Sequence, residues 1–303
     1  MRAIVTGDAG FIGSHVCEAL LARGDEVHVV DDLSSGSAEN VADGAELHEA
    51  DIRDEAVEEL LAGIRPEVVF HLAAQADVGT SLERPTHDAE VNVVGTVRVL
   101  EGARAAEARV VFASTGGAIY GECERPARED DERRPLSPYA TSKLAGEEYL
   151  AAWNRLHGTR HVTCRLANVY GPRQLPALEG GVVAIFLDRL RDQRETKIFG
   201  DGGQTRDFVY VRDVAEAFLA AAVTPGAGIY NVSTGVATSI LDLHGLCAET
   251  AGREQEAELA DPRPGDVRHS VLDPGRAARE LGWHAKASLR DGLSETWGWV
   301  QRH

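Results

Sequence analysis

The sequence predicts an α/β protein, with a doubly wound parallel sheet followed by a smaller C-terminal α/β domain. Three observations predict this fold. Short β-rich apolar runs alternate with helical patterns in the first half, a glycine-rich turn follows the first run, and an aspartate ends the second run. Alternating strands and helices form a parallel sheet covered by helices on both faces. Ligands of such sheets bind at the carboxyl ends of the strands.

The elements of the first half follow from hydrophobic periodicity. Strands are predicted at Ala3–Thr6, Glu26–Asp31, Val68–Leu72 and Val110–Ser114, and helices at Ile12–Arg23, Ala56–Leu61 and Val91–Ala106. A further helix is predicted to begin near Pro138, because proline is favoured in a first helical turn. Beyond about residue 165, glycine and proline interrupt the pattern. We therefore predict a first domain over residues 1–165, a loop-rich substrate domain over 166–303, and a return of the chain to the first domain around 207–228.

Three glycines follow the first predicted strand directly: Gly7, Gly10 and Gly13. Glycines there allow a tight turn and close approach of the backbone to a pyrophosphate, and the following helix offers free N–H donors. This arrangement predicts a Rossmann-type dinucleotide-binding domain. Asp31 ends the next strand, where an acid meets the ribose hydroxyls of adenosine. Since a carboxylate repels a 2′-phosphate, the sequence favours NAD over NADP. Asp51 also follows an apolar run, but an acid there is as often a helix N-cap.

Tyr139 and Lys143 lie four residues apart, on one face of the helix predicted from Pro138. An ammonium in this position stabilises a phenolate. Lowering a tyrosine pKa from about 10 to about 7 requires about 4 kcal/mol, which a partly buried cation can supply. The pair therefore indicates a tyrosine that exchanges protons with a substrate.

Composition and charge exclude several classes of protein. The 31 basic and 49 acidic residues give a net charge of −18, which repels nucleic acid and anionic membranes. No apolar run approaches the roughly 18 residues of a membrane span. The four cysteines form no CxxC pair and have no histidine at metal-ligand spacing, so no metal site is expected. The N-terminus lacks the pattern of a secretory signal, and we expect a cytoplasmic protein.

Eight stretches together resemble one family, the extended short-chain dehydrogenases/reductases, and within it the UDP-glucose 4-epimerases. These stretches are Thr6–Gly13, Val29–Gly36, His71–Gln75, Asn92–Thr96, Tyr139–Lys143, Arg165–Arg173, Phe199–Val211 and Arg263–Asp266. The resemblance implies NAD-dependent inversion at C4 of a UDP-hexose through a 4-keto intermediate, with UDP-glucose and UDP-galactose as substrates and N-acetyl sugars as further candidates. It also implies a homodimer built on a helix pair from each subunit, Val91–Ala106 and Ser142–Leu156.

The resemblance further implies which residues contact the cofactor. The NAD contacts are Gly7, Gly10, Phe11, Ile12, Asp31, Asp32, Leu33, Ser34, Ser35, Gly36, Asp51, Ile52, Leu72, Ala73, Ala74 and Asn92. Tyr139 is implied as the catalytic acid/base and Lys143 as a second cofactor ligand. A hydroxyl near the end of the fourth predicted strand would bind the sugar 4-oxygen. Gly116 occupies the position where many members carry a catalytic serine, so the role passes to Thr115, with Ser114 as the alternative.

Substrate contacts are implied mainly in the second half. Asn168, Arg206 and Arg263 correspond to the diphosphate ligands, and Val182, Lys197 and Phe199 to uridine contacts. Two guanidiniums would offset the unfavourable net charge, because each can bind a phosphate through paired hydrogen bonds. Ser270 lies where epimerases restricted to UDP-glucose and UDP-galactose carry a bulky tyrosine. The smaller side chain favours acceptance of an N-acetyl group.

Other functions remain as alternatives. Nucleotide-sugar 4,6-dehydratases and UDP-glucuronate decarboxylases need carboxylates after the threonine, where this chain has Gly116 and Gly117. A UDP-glucuronate 4-epimerase is the main enzyme alternative, but Asn168 and Leu175 replace the threonine and arginine typical of that group. A buried uronate carboxylate without a cation is costly. An inactive NAD-binding sensor is the alternative from another class, and retention of Tyr139 and Lys143 disfavours it.

Overall fold

A computed structural model describes residues 1–176, 181–262 and 267–303. Its main sheet has seven strands, all parallel, in the order β11-β6-β5-β4-β1-β2-β3. These strands are β1 Arg2–Thr6, β2 Glu26–Asp31, β3 Glu46–Glu49, β4 Val68–His71, β5 Arg109–Thr115, β6 Val162–Leu166 and β11 Gly228–Val232. The strand order reverses between β1 and β4, which is the point where such sheets bind ligands. The predicted doubly wound α/β fold is confirmed.

Helices cover both faces of this sheet. The α-helices of the described residues, some of which pack in the C-terminal half away from the sheet, are α1 Phe11–Ala22, α2 Ala56–Ile64, α3 Val78–Glu83, α4 Pro85–Ala89, α5 Thr96–Ala105, α6 Gly116–Ile119, α7 Pro138–His157, α8 Val182–Arg191, α9 Val211–Val223, α10 Ile240–Ala251, α11 Gly275–Glu280 and α12 Leu289–Val300. A 3-10 turn spans Ala38–Asn40 and a π-helix spans Glu90–Gly95. Helix α7 begins as predicted, because the Ser137 hydroxyl accepts the Ala140 N–H and Pro138 occupies the first turn.

The sheet is apolar on both faces. Successive residues of β1 alternate between two cores: Val5 packs on the side of α1 and α9, and Ile4 on the side of α2 and α5. Strands buried on both sides consist of nearly continuous apolar runs, which is why four of them were predictable. A third core joins α8, α10 and α12 in the C-terminal half.

Strands β3, β6 and β11 of the main sheet are absent from the sequence predictions, and one predicted helix begins in a different form. The sequence predicts no strand at Glu46–Glu49, because β3 carries polar and acidic side chains and lies at the sheet edge with one neighbour, β2. The helical segment predicted over Val91–Ala106 is present, but its first residues, up to Gly95, form a π-helix that leads directly into α5. The wider π turn places Asn92 against Gln75 and Ser142. Single π turns of this kind are frequent at functional sites.

The C-terminal half contains short strands around the third core. Strand β7 Asn168–Tyr170 pairs with β10 Phe208–Tyr210, and β8 Lys197–Phe199 pairs with β13 Glu258–Ala260. Strand β9 Thr205–Arg206 lies between β12 Thr238–Ser239 and β14 His269–Ser270. Helix α9 packs against α1, and β11 joins the main sheet beside β6. The chain therefore re-enters the layers of the first half after β10. The domain division at residue 165 stays a prediction.

Candidate active site

A cavity of about 700 Å³ opens at the carboxyl ends of the central strands. Of the residues predicted to bind the cofactor, all but Leu33 and Asn92 line it. They are Gly7, Gly10, Phe11, Ile12, Asp31, Asp32, Ser34, Ser35, Gly36, Asp51, Ile52, Leu72, Ala73, Ala74, Tyr139 and Lys143. The fold thus brings together residues from five separate segments of the sequence.

The glycine-rich turn fits a dinucleotide because it has no room for side chains. A Cβ on Gly7, whose φ is +77°, would lie 2.6 Å from the Ala73 nitrogen. A Cβ on Gly13 would lie 2.2 Å from the Gly7 carbonyl oxygen, so helix α1 could not pack as closely on β1. A Cβ on Gly36 would meet Ala9 at 2.6 Å. The backbone of this turn is therefore free to approach a pyrophosphate.

Asp31 is buried at the end of β2, and both of its carboxylate oxygens accept backbone hydrogen bonds. Oδ2 accepts from the Ala9 N–H at 3.0 Å and Oδ1 from the Leu33 N–H at 2.9 Å. Each oxygen retains a further lone pair, so a ribose diol can be bound as well. Burial raises the pKa of Asp31 above its ordinary value. The residues present fit NAD, since a carboxylate here disfavours a 2′-phosphate.

Two other acids beside the cavity have local partners. Asp32 accepts hydrogen bonds from the backbone and hydroxyl of Ser34, at 3.0 and 2.6 Å. Asp51 is bound by the Arg53 guanidinium, which lowers the pKa of that carboxyl. Arg53 also lines the cavity, although the sequence does not single it out. Asp51 lines the cavity as well, and the adenine contact that the resemblance implies for it stays a prediction.

Asn92 lies behind the cavity wall. Its amide nitrogen donates to the Gln75 carbonyl, the Asp88 carboxylate and the Ser142 hydroxyl, at 2.9, 3.1 and 3.0 Å. Its amide oxygen accepts the Gln75 N–H at 2.9 Å. In this arrangement Asn92 fixes the loop after β4 to helix α7. Leu33, which has a φ of +55°, is placed by its N–H bond to Asp31 and does not line the cavity.

Tyr139 and Lys143 lie in the first turns of α7 and both line the cavity. Lys143 is only 4% exposed, and its ammonium donates to the Ala113 carbonyl at 3.0 Å. The ammonium also lies 4.9 Å from the centre of the Phe112 ring. Burial lowers the pKa of Lys143 to about 8, and the Asp88 carboxylate opposes this shift. The cation is therefore retained at neutral pH and held against Ala113 on β5.

The end of β5 explains the missing serine. A Cβ on Gly116 would lie 2.3 Å from Leu272 Cδ1, so this position cannot carry a serine without repacking. The Ser114 hydroxyl donates to the buried carboxylate of Glu147, which in turn binds the Arg165 guanidinium. Thr115 is partly exposed, and its hydroxyl does not cap α6. Ser114 lines the cavity but donates its proton inside the protein, whereas Thr115 does not line the cavity. The contact of Thr115 with the sugar 4-oxygen stays a prediction, with Ser114 as the alternative.

The predicted substrate residues are spread over several elements of the second half. Asn168 begins β7, with its amide oxygen 3.5 Å from the Cβ position of Gly117, and Val182 begins α8. Phe199 lines a separate cavity of about 320 Å³, together with Gln204 and Arg268. Ser270 of β14 pairs with Arg206 of β9.

The Lys197 ammonium pairs with Glu258 across the two strands at 3.1 Å, with both side chains about half exposed. Arg263 lies outside the described residues. Its predicted phosphate contact stays a prediction.

Sequence reasoning does not single out Arg173, which lines the main cavity. One arm of its guanidinium binds Glu18, and Nη1 is buried without a hydrogen-bond partner. A buried donor of this kind is costly unless a ligand satisfies it. The signal in the sequence is the Gly171-Pro172-Arg173 turn, which places a cation opposite the glycine-rich loop. Arg173 is therefore a candidate ligand for a phosphate of the cofactor.

Asp8 is an unusual member of the glycine-rich turn, because it is fully buried and no N–H or O–H group donates to either carboxylate oxygen. Burial, opposed in part by the Cys17 thiol, raises the pKa of Asp8 to about 7. The ordinary value, 3.8, applies to the unfolded chain. Between pH values of 3.8 and about 7, Asp8 is therefore protonated more in the folded protein than in the unfolded chain. The protein's free energy of unfolding falls as the pH rises through this range.

Asp8→Asn should remove this pH dependence. The wild type should lose up to about 4 kcal/mol of unfolding free energy, relative to the variant, between about pH 4 and pH 8. Urea unfolding of both proteins at pH 5 and pH 8 measures the difference. Asp43→Asn, at an exposed aspartate, is the matched control. If the variant and the wild type lose stability equally between the two pH values, Asp8 does not carry the buried proton.

Among the described residues, no helix is both long and apolar enough to cross a membrane. The model of the NAD dependent epimerase/dehydratase family matches residues 3–233. A curated relative, the UDP-glucose 4-epimerase of Mycolicibacterium smegmatis, is 49% identical over 304 residues, covering 98% of this chain and 97% of the relative.

Two solved structures share the whole fold. A UDP-glucose 4-epimerase from Thermotoga maritima, with UDP-glucose, has a TM-score of 0.97 and 44% identity, covering 100% of this chain and 99% of the other. A UDP-glucose 4-epimerase from Thermus thermophilus, in complex with NAD, has a TM-score of 0.93 and 45% identity, covering 99% of both chains. With a glycine-rich turn and an Asp31 that fit NAD, and a Tyr139–Lys143 pair at the same cavity, the chain belongs to the NAD-dependent epimerase/dehydratase family.

Proposed function

We propose that the protein inverts C4 of a UDP-hexose, interconverting UDP-glucose and UDP-galactose through a 4-keto intermediate. The observation that carries this proposal is the presence of Tyr139 and the buried Lys143 on the wall of the dinucleotide cavity. Relatives that are 44% and 49% identical over nearly the whole chain are UDP-glucose 4-epimerases. This similarity supports the same reaction here.

NAD, when bound, supplies the acceptor and donor of the C4 hydride. Tyr139 takes the proton of the 4-hydroxyl and later returns it. The Lys143 ammonium stabilises the phenolate form of Tyr139, and the Thr115 hydroxyl holds the 4-oxygen. Inversion requires that the ketone presents its second face before the hydride returns, so the sugar must be held more loosely than the nucleotide.

The firm contacts of the substrate are assigned to the second half. Asn168, Arg206 and Arg263 would hold the diphosphate, and Val182, Lys197 and Phe199 the uridine. The position of Phe199 in a separate cavity of the C-terminal half supports a nucleotide site away from the hydride-transfer centre. Since the whole chain carries a net charge of −18, local guanidiniums are needed to bind a diphosphate.

UDP-glucuronate is the less favoured substrate. Leu175 lines the main cavity and is 41% exposed, where a uronate-specific enzyme of the resembling group has an arginine. Leu175 itself offers no charge to pair with a uronate carboxylate. An inactive NAD-binding sensor is also disfavoured, because the chain keeps both members of the Tyr139–Lys143 pair.

Anaerobic incubation of the purified protein with single UDP-sugars tests the proposal. Proton NMR should show C4 inversion with UDP-galactose, and weak or no inversion with UDP-glucuronate. Bound NAD should co-purify, because each cycle regenerates it. Inversion of UDP-glucuronate alone would favour the alternative enzyme, and inversion of no UDP-sugar by protein with bound NAD would favour the sensor.

The small side chain of Ser270 supports a wider range of sugar substrates. It is 7% exposed, and its hydroxyl lies 3.3 Å from the Gly117 carbonyl, next to the proposed Thr115 site. UDP-N-acetylglucosamine should therefore be epimerised alongside UDP-glucose. Ser270→Tyr should abolish the N-acetyl activity and spare UDP-galactose, because a larger side chain would occupy the space of the N-acetyl group.

The ratio of kcat/KM for the two sugars measures the effect of Ser270→Tyr, and Ser270→Ala controls for loss of the hydroxyl. Equal losses on both sugars would mean that the tyrosine only overpacks the loop. Absence of N-acetyl activity in the unaltered enzyme would also contradict the assignment.

The protein is further proposed to be a cytoplasmic homodimer built on the helix pair of α5, with its preceding π-helix, and α7. Large apolar side chains on this surface are exposed to solvent, including Val94 at 47% and Leu156 at 73%. Burial of these side chains against a second chain would remove apolar surface from water. Sedimentation velocity should give the mass of two chains, and a monomeric mass at micromolar concentration would oppose the dimer.

A further inference from the structure

Two histidines and two glutamates lie together on strands β2 and β3, away from the residues that line the cofactor cavity. His28 pairs with Glu46 and Val30 pairs with His48 in the parallel register. Side chains of paired residues share a face of the sheet, so the two imidazoles and the Glu46 carboxylate all lie on one side. Glu26, two residues before His28, lies on the same side.

The separations between the nitrogen and oxygen atoms match those of metal ligands. His28 Nδ1 lies 3.1 Å from His48 Nε2 and 3.5 Å from Glu46 Oε2. His48 Nε2 lies 3.8 Å from Glu46 Oε1. Ligands bound tetrahedrally at about 2.0–2.1 Å from a zinc ion lie about 3.3 Å from one another. Each separation is therefore within about 0.5 Å of that value, and side-chain rotation alone can complete the geometry.

Glu26 supplies the partner that a metal-binding histidine usually has on its second nitrogen. His28 Nε2 lies 3.2 Å from Glu26 Oε1, and Arg2 holds the same oxygen at 2.9 Å. A carboxylate can only accept, so His28 donates from Nε2 and keeps a lone pair on Nδ1. That lone pair points to the nitrogen of His48. The local bonding thus selects the tautomer in which His28 can act as a ligand.

We propose that His28, His48 and Glu46 form a site for a divalent transition metal, with Zn²⁺ as its ion. Two imidazoles and one carboxylate suit Zn²⁺, whereas Ca²⁺ and Mg²⁺ prefer all-oxygen ligands. The histidine side chains are 12% and 21% exposed and that of Glu46 is 67% exposed, so water can complete the fourth position. Among the described residues, this is the one group with such spacing.

This proposal differs from the prediction of no metal site, which was based on the spacing of the four cysteines alone. A bound ion would join the edge strand β3 to β2. Residues 50 and 51 follow β3 directly, and Ala50 donates its N–H to the Asp31 carbonyl at 3.1 Å. The ion would therefore hold the strand that leads to the proposed adenosine contacts.

Equilibrium dialysis of the full chain, with any affinity tag removed and metals first stripped by a chelator, tests the proposal with ZnSO₄ as the probe. Plasma mass spectrometry should find one tightly bound Zn²⁺ per chain. The double variant His28→Gln/His48→Gln should lose it. Glu26→Gln, which removes no ligand, should weaken binding by about 10- to 100-fold. His284→Gln, at an exposed histidine outside the group, is the matched control and should bind as the wild type does.

Two spectroscopic readouts do not depend on activity or on the folding of a variant. Co²⁺ bound to the wild type should give the intense visible bands of tetrahedral coordination. Nitrogen-15 NMR of the unaltered protein should show Zn²⁺ shifting His28 Nδ1 and His48 Nε2. Equal Zn²⁺ binding by the wild type and a folded double variant would overturn the proposal, as would Zn²⁺ addition that leaves both ring nitrogens unshifted.

Discussion

Tyr139→Phe should lower turnover of UDP-galactose by about 10²- to 10⁴-fold while NAD remains bound. Phenylalanine preserves the ring in the first turn of α7 but removes the oxygen that exchanges a proton with the 4-hydroxyl. Because the reaction cannot begin without that transfer, kcat should fall far more than the affinity for UDP-galactose. Coupled assay of UDP-glucose formation measures turnover, and absorbance of the purified protein measures bound cofactor.

Tyr149→Phe is the matched control, since Tyr149 lies on the same helix with a partly exposed ring. It should retain wild-type turnover. Near-wild-type turnover in Tyr139→Phe itself would contradict the acid/base assignment.

The pH profile gives a second readout of the same pair. Burial lowers the pKa of Lys143 to about 8, so the ammonium loses its charge above that pH. The phenolate of Tyr139 then loses its stabilising cation, and turnover should decline as the pH rises beyond about 8.

Arg165→Met should lower the free energy of unfolding by about 3–5 kcal/mol, the usual cost of breaking a buried ion pair. Arg165 is fully buried between β6 and α7, and its Nη2 lies 2.6 Å from Glu147 Oε2. It also donates to the Tyr120 hydroxyl at 2.7 Å and to the Glu129 carbonyl at 2.9 Å. Methionine fills much of the volume but leaves the Glu147 carboxylate buried without a cation.

Urea unfolding of single and double variants measures this effect. Arg165→Met/Glu147→Leu should recover most of the lost stability, because apolar side chains of similar volume can replace a buried pair. Arg104→Met, which breaks an exposed pair with Glu101, is the control and should cost less than about 1 kcal/mol. A loss below about 1 kcal/mol in Arg165→Met would show that Glu147 finds water or a proton instead.

Local patterns in the sequence predicted most of the first half. Strand β2 has the bounds predicted from its apolar run, and α7 begins at the predicted proline. The glycine turn, Asp31 and the Tyr139–Lys143 pair are also visible locally, because each depends on spacing within one or two neighbouring elements. Most of the predicted cofactor residues accordingly line one cavity.

Contacts between distant segments were not visible in the sequence. The place of Asn92 depends on a π turn and on Gln75 and Ser142, which come from other elements. The hydrogen bond from the Ser114 hydroxyl to Glu147, 33 residues away, depends on the packing of α7 against β5. A side chain at Gly116 would displace the Leu272 side chain, which comes from a distant segment. None of these relations has a period or a spacing that a pattern could detect.

The sequence alone determined the parallel sheet, its ligand-binding edge and the kind of cofactor, because hydrophobic periodicity and glycine spacing are properties of short segments. Only the tertiary structure decided which side chains are buried and which meet. Asp8 differs from an exposed aspartate only by the helix and strands packed around it, and burial raises its pKa to about 7. His28 and His48, 20 residues apart, meet because β3 pairs in register with β2. Burial and pairing depend on the whole chain, whereas periodicity is local.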